Sequence, residues 1–232
     1  MAGSPSVQAY LDRIDFRGST EPDLATLAAL QRAHMLAVPF ENLDIHLGRR
    51  LVLDPAVNYG KIVERGRGGW CFELNGLFAW LLVELGFDVT LLGSRVGGSE
   101  SGGSDLAHLL LRIDLDQPYI VDVGFGEGAL DPVPLAAIPG GVIHHLDGLS
   151  VVFTTQPRRL DEFQQMSDHL QTSPDSSFVR RRVAHRALPD GRISLRDLTF
   201  LEERGEQRRV RELAGDDEWR AVLRERFGVV LG

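Results

Sequence analysis

The feature that most constrains this chain of 232 residues is a stripe of large apolar side chains. Leu74, Leu77, Phe78, Leu81, Leu82 and Leu85 fall on one face of a single helix. Gly86 follows as its C-terminal cap. Beyond it the apolar period drops from 3.6 to 2, and residues 89–92, 108–113 and 119–123 read as short strands. A Gly/Ser-rich loop from Gly97 to Ser104 separates the first two. A chain that changes period in this way is expected to be α+β, helical at its start and β-rich after the stripe.

Residues 7–46 also read as helical, with Val7-Gln8-Ala9-Tyr10-Leu11 and then Asp23 as N-cap ahead of Leu24, Leu27, Ala28 and Met35. Val38-Pro39 marks the stop. After the middle strands come a strand at 149–155 and a helix at 160–169. Strands at 178–187 and 193–202 follow, joined by a turn at Pro189-Asp190-Gly191. A further turn at Gly205 leads to a strand at 208–213, and residues 216–227 form an amphipathic helix with Trp219, Val222 and Leu223 on one side.

Composition narrows the setting. The apolar runs are broken by charges, and the first residues, Met1-Ala-Gly-Ser-Pro-Ser, hold neither a basic nor a hydrophobic segment. No membrane span and no signal peptide are therefore expected. The single cysteine rules out an intramolecular disulfide or a multi-cysteine metal site, and fits a reducing cytoplasm. A net charge of −8 argues against nonspecific nucleic-acid binding, and Arg180-Arg181-Arg182 reads as a solvated strand edge.

That cysteine, Cys71, lies three residues before Leu74, on the core-facing stripe and in the first turn of the helix. Gly66, Gly68 and Gly69 before it let the backbone approach a bound group. Unpaired N–H groups and the positive end of the helix dipole favour thiolate there, although a lone cysteine taken by itself more often reads as a small buried hydrophobe. His108 opens a strand whose even positions share a face, and Asp122 has the same parity on the next strand. A hairpin centred near Asp116 would set His108 opposite Gly124 and bring Asp122 diagonally within reach. Asp122 interrupts the apolar run Ile120-Val121-Asp122-Val123, where a buried carboxylate needs a partner. Cys71, His108 and Asp122 thus have the residue types of a nucleophile, a base and the group that orients the base.

Four ordered stretches carry a resemblance: Val38-Pro39-Phe40-Glu41-Asn42-Leu43, Arg67-Gly68-Gly69-Trp70-Cys71-Phe72-Glu73, Ala107-His108-Leu109-Leu110-Leu111 and Val121-Asp122-Val123-Gly124-Phe125-Gly126. Together they resemble the arylamine N-acetyltransferases, over almost the whole chain. The resemblance implies an α+β fold with a cysteine-protease-like Cys-His-Asp triad. An N-terminal helical bundle over residues 1–86 would carry Cys71, a central β-barrel over 87–160 would carry His108 and Asp122, and a C-terminal α/β lid would span 161–232. It implies transfer of an acetyl group from acetyl-coenzyme A, as co-substrate and without a metal, through Cys71 to an arylamine, hydrazine or arylhydroxylamine. By the same resemblance Trp70, Phe125 and Gly126 would line the acceptor site. Thr172, Ser173, Ser177 and Phe178 would lie beside coenzyme A, and Glu41 with Arg67 would be supports.

The chain departs from the family pattern between Gly126 and Thr172, where it is shorter, so that barrel strands are expected to be missing within residues 127–149. Such a loss would open the acceptor pocket or expose a sheet edge. A macrolactam-forming amide synthase, similar in sequence to this family, and a binding-only relative are the alternative readings. His144-His145 reads as a surface loop rather than a metal site. The glycines of Gly124-Phe125-Gly126-Glu127-Gly128 read as a close-packed turn after Asp122 rather than a nucleotide loop.

Overall fold

The computed structural model describes residues 5–97, 103–126, 128–145 and 148–232; most of the Gly/Ser-rich loop after residue 97, Glu127 and Asp147 lie outside the described residues. Side-chain caps start the first helices. Ser6 accepts a hydrogen bond from the Ala9 N–H at the head of α1 (Val7–Arg13), and Asp23 from the Thr26 N–H at the head of α2 (Leu24–Ala37). α2 stops at Val38, since the residue before Pro39 is driven out of the helical region. The helical reading to residue 46 is therefore corrected. Phe40–Glu41 form a two-residue strand, β1, and the helix resumes only as α3 (Leu43–His46). α4 (Pro55–Tyr59), capped by Asp54, runs into a π-helical turn at Gly60–Glu64.

α5 (Cys71–Glu84) carries the apolar stripe. The stripe alone predicts a helix with one wet face, yet every residue from Cys71 to Ala79 is buried. The cause is packing from several directions, by α1, α4 and the sheet that follows. Only Val83 and Glu84, in the last turn, are exposed.

Six strands make the middle sheet: β2 (Asp88–Val96), β3 (His108–Asp114), β4 (Pro118–Val121), β5 (Val133–Pro134), β6 (Val142–His144) and β7 (Ser150–Arg158), in the order β5-β4-β3-β2-β7-β6. The β3–β4 hairpin pairs Leu111 with Val121 and Asp114 with Pro118, so it is centred on Asp116, as parity requires. A register shift between Leu92 and Ser94 interrupts the pairing of β2 with β7, a local bulge that increases twist. The expected barrel is corrected to a curled half-barrel. It ends at β5 and β6, strands of two and three residues, too short to close it. Alternation splits the buried side chains of β3. Leu109, Leu111 and Ile113 join the core around α5, and Leu110 joins Ile120, Val151 and Phe153 in a second cluster.

α6 (Gln164–Thr172) and α7 (Ser177–Arg180) lead to a second sheet made of β8 (Val183–Leu188), β9 (Gly191–Arg196), β10 (Thr199–Arg204) and β11 (Gln207–Glu212), with α8 (Asp216–Phe227) at the end. The strand expected from residue 178 starts only at Val183. Ser176 caps a helical turn by accepting from the Phe178 N–H, and the Asn42 amide donates to the Phe178 and Arg181 carbonyls. The strand expected over 193–202 is two strands, because Asp197 turns the chain with φ of 50°, a conformation Asp tolerates. β1 completes this sheet in the order β1-β8-β9-β10-β11 and also bridges to Gly69, so the segment leading to Cys71 is tied to the C-terminal sheet.

Candidate active site

Cys71 is the first residue of α5, His108 the first of β3, and Asp122 the first residue past β4. His108 Nε2 lies 2.7 Å from Asp122 Oδ2, and the nearby Cys71 also favours the charged ring. With Nε2 turned to the carboxylate, Nδ1 is the nitrogen left for the sulfur. Cys71 and His108 are both buried, at 5% and 3% exposure. Burial alone would pull the imidazole down. The charge and hydrogen bond of Asp122, then those of Cys71, outweigh it and push the ring up to about 10. Asp122 moves the opposite way. Burial would raise its carboxyl, but the His108 charge and hydrogen bonds from His108, Asn75 and the Gly124 N–H hold it below the ordinary carboxylate value. At neutral pH the pair is imidazolium facing carboxylate.

Sequence reasoning missed Asn75. Its amide donates to Asp122 Oδ1 at 2.8 Å and to the Leu109 carbonyl at 2.7 Å, while its oxygen accepts from the Val123 N–H at 2.9 Å. It sits one helical turn after Cys71, on the same face, and thereby ties α5 to both strands of the hairpin. The available signal was a polar residue four positions after the cysteine, on the same face of a mostly apolar helix. Gly124 completes the join. A Cβ there would stand 2.7 Å from Cys71 Cα and 2.6 Å from Asn75 Nδ2, so a larger residue would force the Asp122 loop off the helix.

A buried ionic network holds the approach to Cys71. Arg67 bonds Glu41 at 2.7 Å and Asp44 at 3.1 Å, and Lys61 bonds Asp44 at 3.0 Å and Glu73 at 2.9 Å. Burial would lower the Lys61 ammonium, but Glu73, Glu41 and Asp44 raise it above its ordinary value, so it stays charged. Glu73 also accepts from the Trp70 N–H at 3.1 Å, capping the helix that starts with Cys71. Arg13 adds a strap, donating to the carbonyls of Ala37, Ile62, Gly66 and Arg67. Glu41 and Arg67 were visible in the sequence as a pair. Asp44, Lys61 and Glu73 were not, because each is ordinary surface vocabulary until the π-helical turn and α3 carry it inside.

The other expected site residues divide. Phe125 sets its ring perpendicular to His108 with centroids 5.4 Å apart. Trp70 is fully buried in an aromatic cluster, edge-on to Phe72 and to Phe178. Gly126 packs against Phe40 and His185, where a Cβ would come within 3.4 Å of both. Thr172, Ser173, Ser177 and Phe178 lie together at the α6–α7 turn, and Phe178 reaches Cys71's neighbour Trp70. His144 is exposed but ends β6 and bonds Ser150 across the strand pair, so the loop reading is corrected there. His145 departs from the surface-loop reading, because its ring stacks on Phe125 at 3.5 Å between centroids.

A family model described as N-acetyltransferase matches residues 23–145 and 150–232. The pineal gland arylamine N-acetyltransferase isozyme NAT-3 of Gallus gallus is 36% identical over 274 aligned positions, covering 97% of this chain and 94% of the relative. That alignment is longer than the chain itself, so the relative has residues with no counterpart here. Proansamycin X synthase of Amycolatopsis mediterranei is 31% identical over 247 positions, covering 94% of this chain and 95% of that protein. Among solved structures, the arylamine N-acetyltransferase of Nocardia farcinica superposes with a TM-score of 0.89 at 36% identity, covering 99% of this chain and 91% of that one. The Mycobacterium marinum arylamine N-acetyltransferase in complex with CoA gives 0.85 at 29% identity, covering 96% and 92%.

Proposed function

Because this chain belongs to the arylamine N-acetyltransferase family, we propose that it transfers acetyl groups in two steps through a thioester on Cys71. The observation that carries this reading is the buried His108, bonded to Asp122 at 2.7 Å and held as imidazolium by Asp122 and Cys71. In the first step the Cys71 sulfur attacks the carbonyl carbon of acetyl-coenzyme A. The coenzyme A sulfur leaves with the proton of His108, so Cys71 is acetylated and the ring is neutral. In the second step an arylamine or hydrazine nitrogen, or an arylhydroxylamine oxygen, attacks the thioester. His108 takes the nucleophile's proton as the Cys71 sulfur leaves, which restores the starting ion pair. Asp122 keeps Nε2 engaged throughout, so that Nδ1 is the nitrogen that gives and takes the proton.

Phe125 is proposed to border the acceptor, since its ring stands beside His108. Thr172, Ser173, Ser177 and Phe178 are proposed to meet coenzyme A. The relative in complex with CoA supports that ligand, and Trp70 links their turn to Cys71. Trp70 and Gly126 act from behind, as packing.

A second reading, amide-bond formation on an acyl chain larger than acetyl, is favoured by the match to proansamycin X synthase, which aligns over fewer positions than the chicken isozyme. An assay of purified protein with acetyl-coenzyme A and a panel of arylamines and arylhydrazines separates the two. N-acetylated product with ping-pong kinetics supports the first reading, and absence of any acetylated amine refutes it.

A further inference from the structure

His145 and Phe125 form a stacked pair, ring centroids 3.5 Å apart and planes 16° from parallel. Phe125 in turn stands perpendicular to His108. The Phe125 ring therefore borders the base that serves Cys71. The imidazole of His145 is held in place by its own backbone. Its N–H donates to the Leu149 carbonyl at 2.9 Å, and its carbonyl accepts from the Gly148 N–H at 3.0 Å, closing the turn between β6 and β7. The family model breaks at residues 146–149, inside this turn.

We propose that His145 is a specificity-determining positioning residue that fixes Phe125 as a rigid wall for a flat aromatic amine. A ring with one face covered and a second ring set perpendicular to it has its plane fixed as well as its place. An aromatic acceptor then meets a surface already in position, and less freedom is lost on binding. An aliphatic amine of similar size gains nothing from the orientation of that plane. The dispersion and quadrupole terms need a ring, not an imidazole in particular, so phenylalanine at position 145 preserves the function and alanine removes it.

This inference deepens the proposed acceptor chemistry and rests on that reading for the role of Phe125. Its test is kept separate by measuring binding in the absence of any acetyl donor. Aniline and cyclohexylamine are titrated by calorimetry into wild type, His145→Ala and His145→Phe, each with a melting curve to report folding. Aniline is expected to bind roughly two- to tenfold more weakly to His145→Ala, the factor that loss of one aromatic pair gives, and as in wild type to His145→Phe. Cyclohexylamine should be indifferent to the substitutions. The inference is overturned if aniline binding does not change in His145→Ala, if both amines weaken equally, or if His145→Phe fails to restore a folded protein's affinity. A wild type that binds aniline in this His145-dependent way but is not acetylated refutes the transfer reaction and leaves the inference standing.

Discussion

Asp122→Asn separates a catalytic from a structural carboxylate. In the native site Asp122 Oδ1 accepts from the Asn75 amide and the Gly124 N–H, both at 2.8 Å, while Oδ2 faces His108. An asparagine keeps the first two bonds only by leaving its oxygen in the Oδ1 place. Its NH2 group then faces Nε2. The ring can satisfy that donor only as the neutral tautomer with its proton on Nδ1, the nitrogen turned to Cys71, where it can no longer accept one. The energetic change is large. The imidazole stands at about 10 instead of 6.5, a preference for imidazolium of about 5 kcal/mol, and Asp122 supplies the largest favourable share. Loss of that share and of the tautomer is expected to slow acetylation of Cys71 by roughly 10³- to 10⁴-fold, or about 4–5.5 kcal/mol. The assay is single-turnover release of coenzyme A without amine, normalised to folded protein from a parallel melting curve. A folded variant within a few-fold of wild type, with only a lower melting temperature, would refute the reasoning and leave Asp122 a structural group.

The same pair predicts a pH dependence of stability. His108 has a folded value near 10, raised from 6.5, so its contribution is complete below pH 6.5 and is lost as pH rises through about 10. The stability gap between wild type and Asp122→Asn, followed by denaturant melts, should be largest at low pH and shrink as pH rises from 6.5 towards 10; a gap that widens towards pH 10 contradicts the shift. Lys61→Met leaves Glu73 and Asp44 without their buried cation and is expected to cost about 3–5 kcal/mol, with part of the loss recovered in Lys61→Met/Glu73→Gln. Denaturant melts that show no loss in the single variant would dismiss the network as a support. Asn75→Leu keeps the volume but strands the Val123 N–H, at an expected cost of about 1–3 kcal/mol together with slower acetylation. Loss of stability with full activity would mean that Asn75 only braces the hairpin.

What could be read before the structure was local. The leucine stripe, the Asp23 cap, the Asp116-centred hairpin and the helix at residues 216–227 are written in spacing and cap chemistry, and the structure bears out each of them. What could not be read depends on contacts between distant segments. β1 is only two residues long and exists because β8 and Gly69 pair with it, so no periodicity marks it. Phe178 is apolar enough for a strand, but Asn42, far away in sequence, captures its carbonyl in a helical turn. In the site, Cys71, His108 and Asp122 stand out because such residues are odd in apolar runs. Asn75 and Lys61 look ordinary until folding gives each a buried partner. Trp70 is a further case. The family resemblance assigns it to the acceptor site, and its packing in an aromatic cluster with Phe72 and Phe178 shows only in the structure.

The central claim is that Cys71 carries the acetyl group between donor and acceptor. Intact-protein mass spectrometry after incubation with acetyl-coenzyme A alone tests it directly, followed by peptide mapping and a chase with arylamine. The account predicts one acetyl group per chain, located on Cys71, lost on addition of the amine and never formed in Cys71→Ala. A protein that stays unmodified, or an adduct that persists in Cys71→Ala, would contradict it.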